Sequence, residues 1–469
     1  LGLLILLSLA QLMVILDISA VNVALPDLTR DLEIGQTDLS WTITSYSLIF
    51  GSLLLLGGRA ADLIGRRRVF LTGLAIFTAA SFGSALAGNA ATLFAARAGQ
   101  GLGAALLSPA ALSIITSQFK GHERARALGV WGAVGGAGAA IGVLLGGLLT
   151  QLVDWRAIFF INLPIGLIVA AGALHLIPAD TDRAKWRRLD LRGALLATAS
   201  VAALVYAFSQ AQSAGWASTQ TVGLIIAGLA GLAAFGFAER RVSVPLLRVE
   251  RLADRAIGGG FLMMLAATAV LFGSFLLSSL YLQGVLAASP LATGLAFLPF
   301  ALAIGAGVHA GTHLVGQRGV RAPLAGGFAT AAIGLFLLSG VSDHGSYVSD
   351  LLPGMLIAGI GIGVILVSVA FSVLSGARPE ETGMLSGLNT TGHEVGGSLG
   401  LAVLATIAAG APGHTHGAVV TSAVTSGIGN AFLAAAIIAA VASILALAIL
   451  PAAKKFLPRL ELAPPVTIH

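Results

Sequence analysis

Cysteine is absent from the 469 residues, which excludes disulfides, thiolate metal sites and cysteine nucleophiles and leaves the redox compartment unmarked. Charge is scarce: Asp, Glu, Lys and Arg make up 10% of the chain, against about 25% in soluble domains. Lysine is confined to Lys120, Lys185, Lys454 and Lys455, a bias toward arginine expected of GC-rich bacterial coding. Long polar segments are missing too. The longest, "PADTDRAKWRRLD" and "ERRVSVPLLRVERLADR", are too short for a soluble domain. No cleavable signal peptide stands out, because the chain opens in an apolar run without a basic stretch before it. That run starts at Leu1 rather than methionine, so the native N-terminus is expected to lie outside this sequence.

What remains is apolar: 57% of residues are hydrophobic and 61 are glycine. A membrane-spanning helix needs about 20 such residues, because the hydrocarbon core is roughly 30 Å thick and a helix rises about 1.5 Å per residue. Runs such as "SLIFGSLLLLGG" and "AFLAAAIIAAVASILALAIL" are continuous rather than alternating, which predicts helices and excludes a transmembrane barrel. Fourteen segments qualify: 3–25, 40–58, 69–88, 91–117, 127–150, 157–177, 191–212, 220–238, 257–281, 291–315, 322–340, 351–375, 383–409 and 429–450.

Basic residues orient them. Assigned alternately, one side receives 23 of the 26 Lys and Arg, from Arg59 and Arg66–Arg68 through to Lys454, Lys455 and Arg459; the other side receives Arg30 and Arg156, and Arg97 lies within a span. Both termini are therefore expected in the cytoplasm. The net charge of +6 is then topogenic, facing anionic lipid, and calls for no nucleic-acid partner.

A positive loop between the sixth and seventh spans suggests an all-α integral membrane protein of two six-helix halves, 1–177 and 257–469. Between them, 178–256 would be a linker with two inserted transmembrane helices. "GGRAADLIGRRRVFLTG" and "GTHLVGQRGVRAPLAGG" follow the second span of each half, two glycine-flanked basic turns in corresponding positions.

Ionisable groups inside a bilayer cost about 2.5–3.5 kcal/mol at its centre, so each is a functional candidate. Only Asp17, Glu394 and Arg97 fall well inside spans. Asp17, in "QLMVILDISAVNVALPDL", is about 14 Å below the outer end of its helix and Arg97 about 9 Å below the start of its own, within a helical turn of the same level. An acid beside an arginine releases its proton and one left alone in low dielectric keeps it, so a movement that joins or parts the two would exchange a proton. A structural arginine satisfied by carbonyls is the alternative for Arg97. Arg97, Gln100, Gly101 and Ala104 share a helix face that would line a cavity. Glu394 sits in "LNTTGHEVGGSLG" beside His393 and within a turn of Asn389. Three readings stand for it: a second proton site, a substrate contact, or a hydrogen-bonded structural pair.

In the first basic turn, Gly58 and Gly65 permit tight bending, Arg66 and Arg67 hold the loop at the surface, and Asp62 can pair with arginine or cap a helix. A conformational latch and plain topogenic charge are both open there. Gly138, Gly142 and Gly146 recur every fourth residue, with Gly147 adjacent, and let another helix approach closely. His309 and His313, four apart, suit a pathway-lining or interfacial role, and with His414 and His416 make a poor metal site, so no metal is expected. Pro109, Pro164 and Pro299 suggest kinks.

Four segments carry a family resemblance: "LDISAVNVALPDL", "GRAADLIGRRR", "RAGQGLGAALLSPA" and "GAAIGVLLGGLL", with "DWRAIFFINLPIG" as a further signature. In that order and spacing the chain resembles the major facilitator superfamily, and within it the fourteen-span drug:proton antiporters of the EmrB/QacA type. The resemblance spans nearly the whole chain. It implies proton coupling at Arg97, a charge contact from the Asp62 turn to the opposite half made in only one state, and a glycine-rich fifth helix at the interface between halves. Leu63 stands where the family often has arginine, and Val143 where it usually has proline.

These features together predict a proton-coupled antiporter exporting small organic or amphipathic compounds from a bacterial inner membrane by alternating access, driven by the proton gradient with no bound cofactor and working as a monomer. A metabolite exporter or lipid flippase on the same scaffold competes with it, as does a non-transporting sensor. An enzyme is disfavoured, since no nucleophile with its base stands near the membrane surface.

Overall fold

The computed structural model describes residues 2–34, 41–119, 121–180, 190–243, 245–374, 377–378, 381–409 and 418–461. Its long elements are all helices, as a bilayer that offers the backbone no partner requires. They are α1 (Gly2–Asp31), α2 (Trp41–Ile64), α3 (Arg66–Ala85), α4 (Ala90–Gln118), α5 (Gly121–Leu152), α6 (Ala157–Phe160), α7 (Asn162–Leu176), α8 (Leu191–Ala214) and α9 (Thr219–Glu239). After a 3₁₀ segment, Val249–Ala253, come α10 (Ile257–Leu280), α11 (Pro290–Ala296), α12 (Leu298–Arg318), α13 (Arg321–Leu338), α14 (Leu352–Leu374), α15 (Thr382–Ala409), α16 (Ala418–Ile449) and α17 (Ala453–Glu461).

Among the described residues thirteen helices are long and apolar enough to cross a membrane. The expected segment 127–150 lies on α5, where the described residues contribute only the shorter apolar stretch Ile141–Leu152. His414 and His416 lie outside the described residues. The helix of the last expected span, α16, starts at Ala418, eleven residues before the apolar run that announces it.

Two expected spans are divided. The sixth breaks at Ile161 into α6 and α7, and the tenth at Phe297 into α11 and α12. Pro164 and Pro299 lie just beyond these breaks; each lacks an N–H and its ring would collide with the carbonyl four residues earlier. Pro109, by contrast, stays inside a continuous α4. The carbonyl it deprives of a helical partner, on Ala105, faces Gly57 of α2 so closely that a Cβ there would overlap it. Proline in one helix and glycine in the next thus fit together.

Helix pairing repeats along the chain. In the N-terminal set α1 packs on α5, and α2 and α3 on α4; in the C-terminal set α10 packs on α15, and α12 and α13 on α14. Glycine turns match as well, with positive φ at Gly65 (120°) between α2 and α3 and at Gly319 (66°) between α12 and α13. The two sets meet along two seams, α2 and α4 against α15, and α5 against α11, α12 and α14. The α8–α9 pair is attached to the first seam, α8 touching both α2 and α15. On that side Trp41 stacks on Tyr206 at 5.9 Å, and the Trp216 indole donates to Thr406 Oγ1 at 2.9 Å.

The loops carrying most arginines gather at one end, here termed the basic face. At the opposite end a clasp joins α1 to the turn after α5: Arg156 pairs with Asp31 at 2.8 Å, the Trp155 indole donates to Asp31 at 3.2 Å, and Arg156 lies 4.2 Å over the Trp155 ring. The hydrogen bond from Trp155, and then that from Arg156, hold the Asp31 carboxyl below the usual carboxylate range.

Candidate functional site

Asp17 and Arg97 form an ion pair, Arg97 Nη1 donating to Asp17 Oδ2, and each residue is 1% exposed. Charges so buried persist only when their remaining atoms are also satisfied. Asp17 Oδ1 accepts from Gln100 Nε2 at 2.7 Å and from Asn162 Nδ2 at 3.1 Å. Arg97 donates through Nε to the Thr42 carbonyl at 3.2 Å and through Nη1 to Gln100 Oε1 at 2.9 Å. Ser81 Oγ accepts from both amides, at 2.8 Å from Gln100 and 3.3 Å from Asn162, and Ser84 donates to Gln100 Oε1 at 3.1 Å. Aromatic faces enclose the cation: Arg97 stands 4.5 Å from the Tyr46 ring centre and 5.9 Å from that of Phe159.

Six helices supply this cluster, α6 through its Phe159. Asp17 comes from α1, Thr42 and Tyr46 from α2, Ser81 and Ser84 from α3, Arg97 and Gln100 from α4, with Asn162 from the start of α7 just after the break at Ile161. Asn162 Oδ1, Thr42 Oγ1 and Tyr46 Oη are buried without a hydrogen-bond partner. The site therefore holds one opposed charge pair, a set of neutral donors, and polar atoms able to take another partner.

Gln100 and Gly101 do not line a cavity here, contrary to the sequence expectation. Gln100 is fully buried inside the network, and a Cβ on Gly101 would lie 2.5 Å from the Tyr46 carbonyl oxygen and 3.1 Å from Phe50 N. The reason is α2, which packs across that face of α4 and covers it.

The glycine face of α5 also points elsewhere than expected. Gly138 meets Leu12 and Ile15, Gly142 meets Leu16 and Ser19, and Gly146 meets Ala20, all on α1; Gly147 is buried. Close packing thus occurs within the N-terminal set, and it backs the stretch of α1 that carries Asp17. Contact between α5 and the C-terminal set runs through other positions: a Cβ on Gly294 would lie 3.0 Å from Leu144 Cα.

At the basic face Asp62 accepts from Gly383 N at 2.8 Å and Met384 N at 2.9 Å, with Arg66 3.9 Å away. These N–H groups belong to the first turn of α15, which has no intrahelical acceptors, and a carboxylate there also meets the positive end of the helix dipole. Gly58 lies directly against Gly383 and Gly387, where a Cβ would sit 3.0 Å from Gly387 Cα. Beside this contact Glu381, 2% exposed, pairs with Arg248 at 2.9 Å and Arg251 at 2.6 Å.

Gly65 and Arg67 serve a different contact. Asp180 accepts from Arg67 N at 3.3 Å and Arg68 N at 3.0 Å, capping α3, while Arg67 Nη2 donates to the Leu174 carbonyl at 2.7 Å. They bind α3 to α7 within the N-terminal set, because the positive-φ glycine turns these N–H groups away from α15.

Glu394 lies on α15 opposite Gly51 of α2, where a Cβ on Gly51 would come within 3.6 Å of its own Cβ. Its carboxylate is 3.0 Å from His393 Nδ1, and the imidazole meets Phe272 edge-on at 5.3 Å. Asn389, a turn earlier, is 6% exposed and its Oδ1 has no hydrogen-bond partner. No hydrogen bond or ion pair between described residues links this group to the Asp17 pair, and α2 carries residues that meet each of them, Tyr46 against Arg97 and Gly51 against Glu394.

Asn162, Ser81, Ser84, Thr42 and Tyr46 escape a search for charges. Asn162 alone left a trace, an amide within the apolar string "AIFFINLPIG".

A family model described as Major Facilitator Superfamily matches residues 7–401. The chain belongs to that superfamily. It is 42% identical over 418 residues to the puromycin resistance protein pur8 of Streptomyces alboniger, covering 87% of this chain and 82% of the relative. To the cephamycin export protein CmcT of Amycolatopsis lactamdurans it is 38% identical over 402 residues, covering 85% and 83%. The multidrug resistance protein Stp of Mycobacterium tuberculosis is 35% identical over 398 residues, with 85% and 74% covered. Among solved structures, the human organic anion transporter MFSD10 superposes with a TM-score of 0.69 at 15% identity, over 95% of this chain and 99% of that one. This places the chain on the fold of a multi-pass membrane transporter.

Proposed function

We propose that this chain is a fourteen-span antiporter of the EmrB/QacA type that exports small organic or amphipathic compounds, antibiotics among them, in exchange for protons. The observation that carries the coupling is the buried Asp17–Arg97 pair held by neutral amides. A pair excluded from solvent exchanges its proton only when a helix movement separates the partners or admits water. Relatives named for puromycin, cephamycin and multidrug resistance or export support the substrate class.

In this reading 1–177 and 257–469 rock against each other, 178–256 contributes the two inserted helices, the basic face with both termini is cytoplasmic, and the membrane is the bacterial cell membrane. Asp62 on the first turn of α15 acts as the latch that closes the cytoplasmic side. The repeated helix pairing and the matched glycine turns support that division. Protons entering from outside reach Asp17 when the halves part; Glu394 and His393, with Asn389, face the seam where substrate passes.

The test is reconstitution in proteoliposomes with an interior pH dye. Adding substrate drives proton movement in the wild type, and Asp17→Asn abolishes it while substrate binding persists. Substrate-driven proton flux that survives in Asp17→Asn removes this assignment. A susceptibility panel in an efflux-deficient host, with and without expression, identifies the compounds.

A further inference from the structure

The seam between α5 and α12 holds a groove of about 480 Å³ that the transport reading does not use. Arg126, Gly129 and Val130 form the α5 wall; Val308, His309 and His313 stand on α12. Its floor is where the helices touch, since a Cβ on Gly129 would lie 2.7 Å from Thr312 Oγ1 and 3.5 Å from Val308 Cγ1. Among the described residues three nitrogen-bearing side chains line the groove and no acid does. All three are exposed.

Depth gives the groove a direction. Arg126 is five residues into α5 and His313 five residues from the end of α12, so both lie about 7.5 Å in from the basic face, and His309 is one turn deeper. Cationic and hydrogen-bonding groups thus stand near headgroup level, and Val130 and Val308 continue the wall with apolar surface. His313 is steadied by Gln317, 2.9 Å away. Apolar side chains would suffice where a helix pair only faces acyl chains. An arginine flanked by two hydrogen-bonding imidazoles near headgroup level offers a positive, donor-rich edge that an anionic lipid headgroup complements.

We infer that this groove binds one anionic phospholipid of the leaflet at the basic face. Its phosphate meets Arg126 and His313, its ester region meets His309, and an acyl chain lies against Val130 and Val308. Arg126 belongs to the N-terminal set and the histidines to the C-terminal set, so the lipid bridges both and favours the arrangement closed at the basic face. The site stands whatever the exported compound is.

Native mass spectrometry of the purified full chain, titrated with phosphatidylglycerol or with phosphatidylcholine of the same acyl chains, tests this. Phosphatidylglycerol should bind more tightly, and Arg126→Gln should weaken it about fivefold, the effect of one basic residue near an anionic lipid surface. Phosphatidylcholine binding should not change, nor should phosphatidylglycerol binding to Arg192→Gln, which removes an exposed arginine of α8 at the same face. His313→Asn should show the same selective loss and replaces Arg126→Gln if that variant does not fold. Equal phosphatidylglycerol affinity in the Arg126 and His313 variants overturns the proposal. An equal loss in Arg192→Gln reduces the effect to diffuse surface charge. Displacement of the lipid by millimolar inorganic phosphate makes it a free-phosphate site, and either result rejects the lipid.

Discussion

The Arg97 guanidinium stands 4.5 Å over the ring of Tyr46, whose hydroxyl, fully buried, has no hydrogen-bond partner. The ring, not the hydroxyl, holds the cation in this arrangement. Tyr46→Phe is therefore expected to leave the thermal unfolding midpoint unchanged or slightly raised, because it removes an unsatisfied polar atom. Tyr46→Leu, which removes the aromatic face as well, should lose about 2 kcal/mol. If Tyr46→Phe keeps stability but slows export, the hydroxyl acts in another conformation.

The ion pair itself predicts a non-additive mutant cycle. Arg97→Gln strands a buried carboxylate and should destabilise by about 3 kcal/mol. Adding Asp17→Asn to it replaces the stranded charge by an amide that Gln100 and Asn162 can still approach, so the double variant should recover more than half of that loss. Thermal or denaturant unfolding in detergent reads both values; additive losses would show that the two charges do not interact.

Two glycines of one helix face should respond differently to the same change. A Cβ at Gly146 meets the Ala20 backbone, 2.7 Å from its Cα, whereas at Gly138 it meets the end of a side chain, Ile15 Cγ2 at 2.9 Å. Side chains can swing aside and backbone cannot, so Gly146→Ala should cost about 1–3 kcal/mol and Gly138→Ala less. Unfolding midpoints of the two variants, compared under one detergent condition, decide the order.

The clasp at the opposite face should loosen in acid. Asp31 has a lowered proton affinity in the fold, so its contribution is fully present above the ordinary carboxylate value of 3.8 and is lost as pH falls through the lower folded value. The Trp155 indole N–H resonance should accordingly shift at a pH below 3.8 and lose that titration in Asp31→Asn. A shift centred at or above 3.8 contradicts the pairing.

Much of this was legible in the sequence because a bilayer is a strict solvent. Apolar run length marks the helices, and the rarity of membrane charges singles out Asp17, Arg97 and Glu394 from the sequence alone. Depth arithmetic put the first two at one level, and the structure places them in contact. Neighbour identity was not legible. Nothing in the spacing of Gly138, Gly142 and Gly146 says that their partner is α1, because a small-residue face fits any helix that offers its backbone. Neutral residues such as Asn162 and Ser81 gained meaning only from the carboxylate beside them.

α2 touches both ends of this system. Its Thr42 carbonyl accepts from Arg97, and its Asp62 carboxylate holds the first turn of α15, 20 residues or about 30 Å farther along. Close backbone packing against α4 at Gly57 and Gly101 stiffens the rod between them. On a lever of that length a tilt of about 5° displaces the far end by about 2.6 Å, nearly the whole length of the bonds Asp62 makes. A small displacement around Arg97 would thus reach α15 enlarged by leverage alone, enough to part the Asp62 contacts.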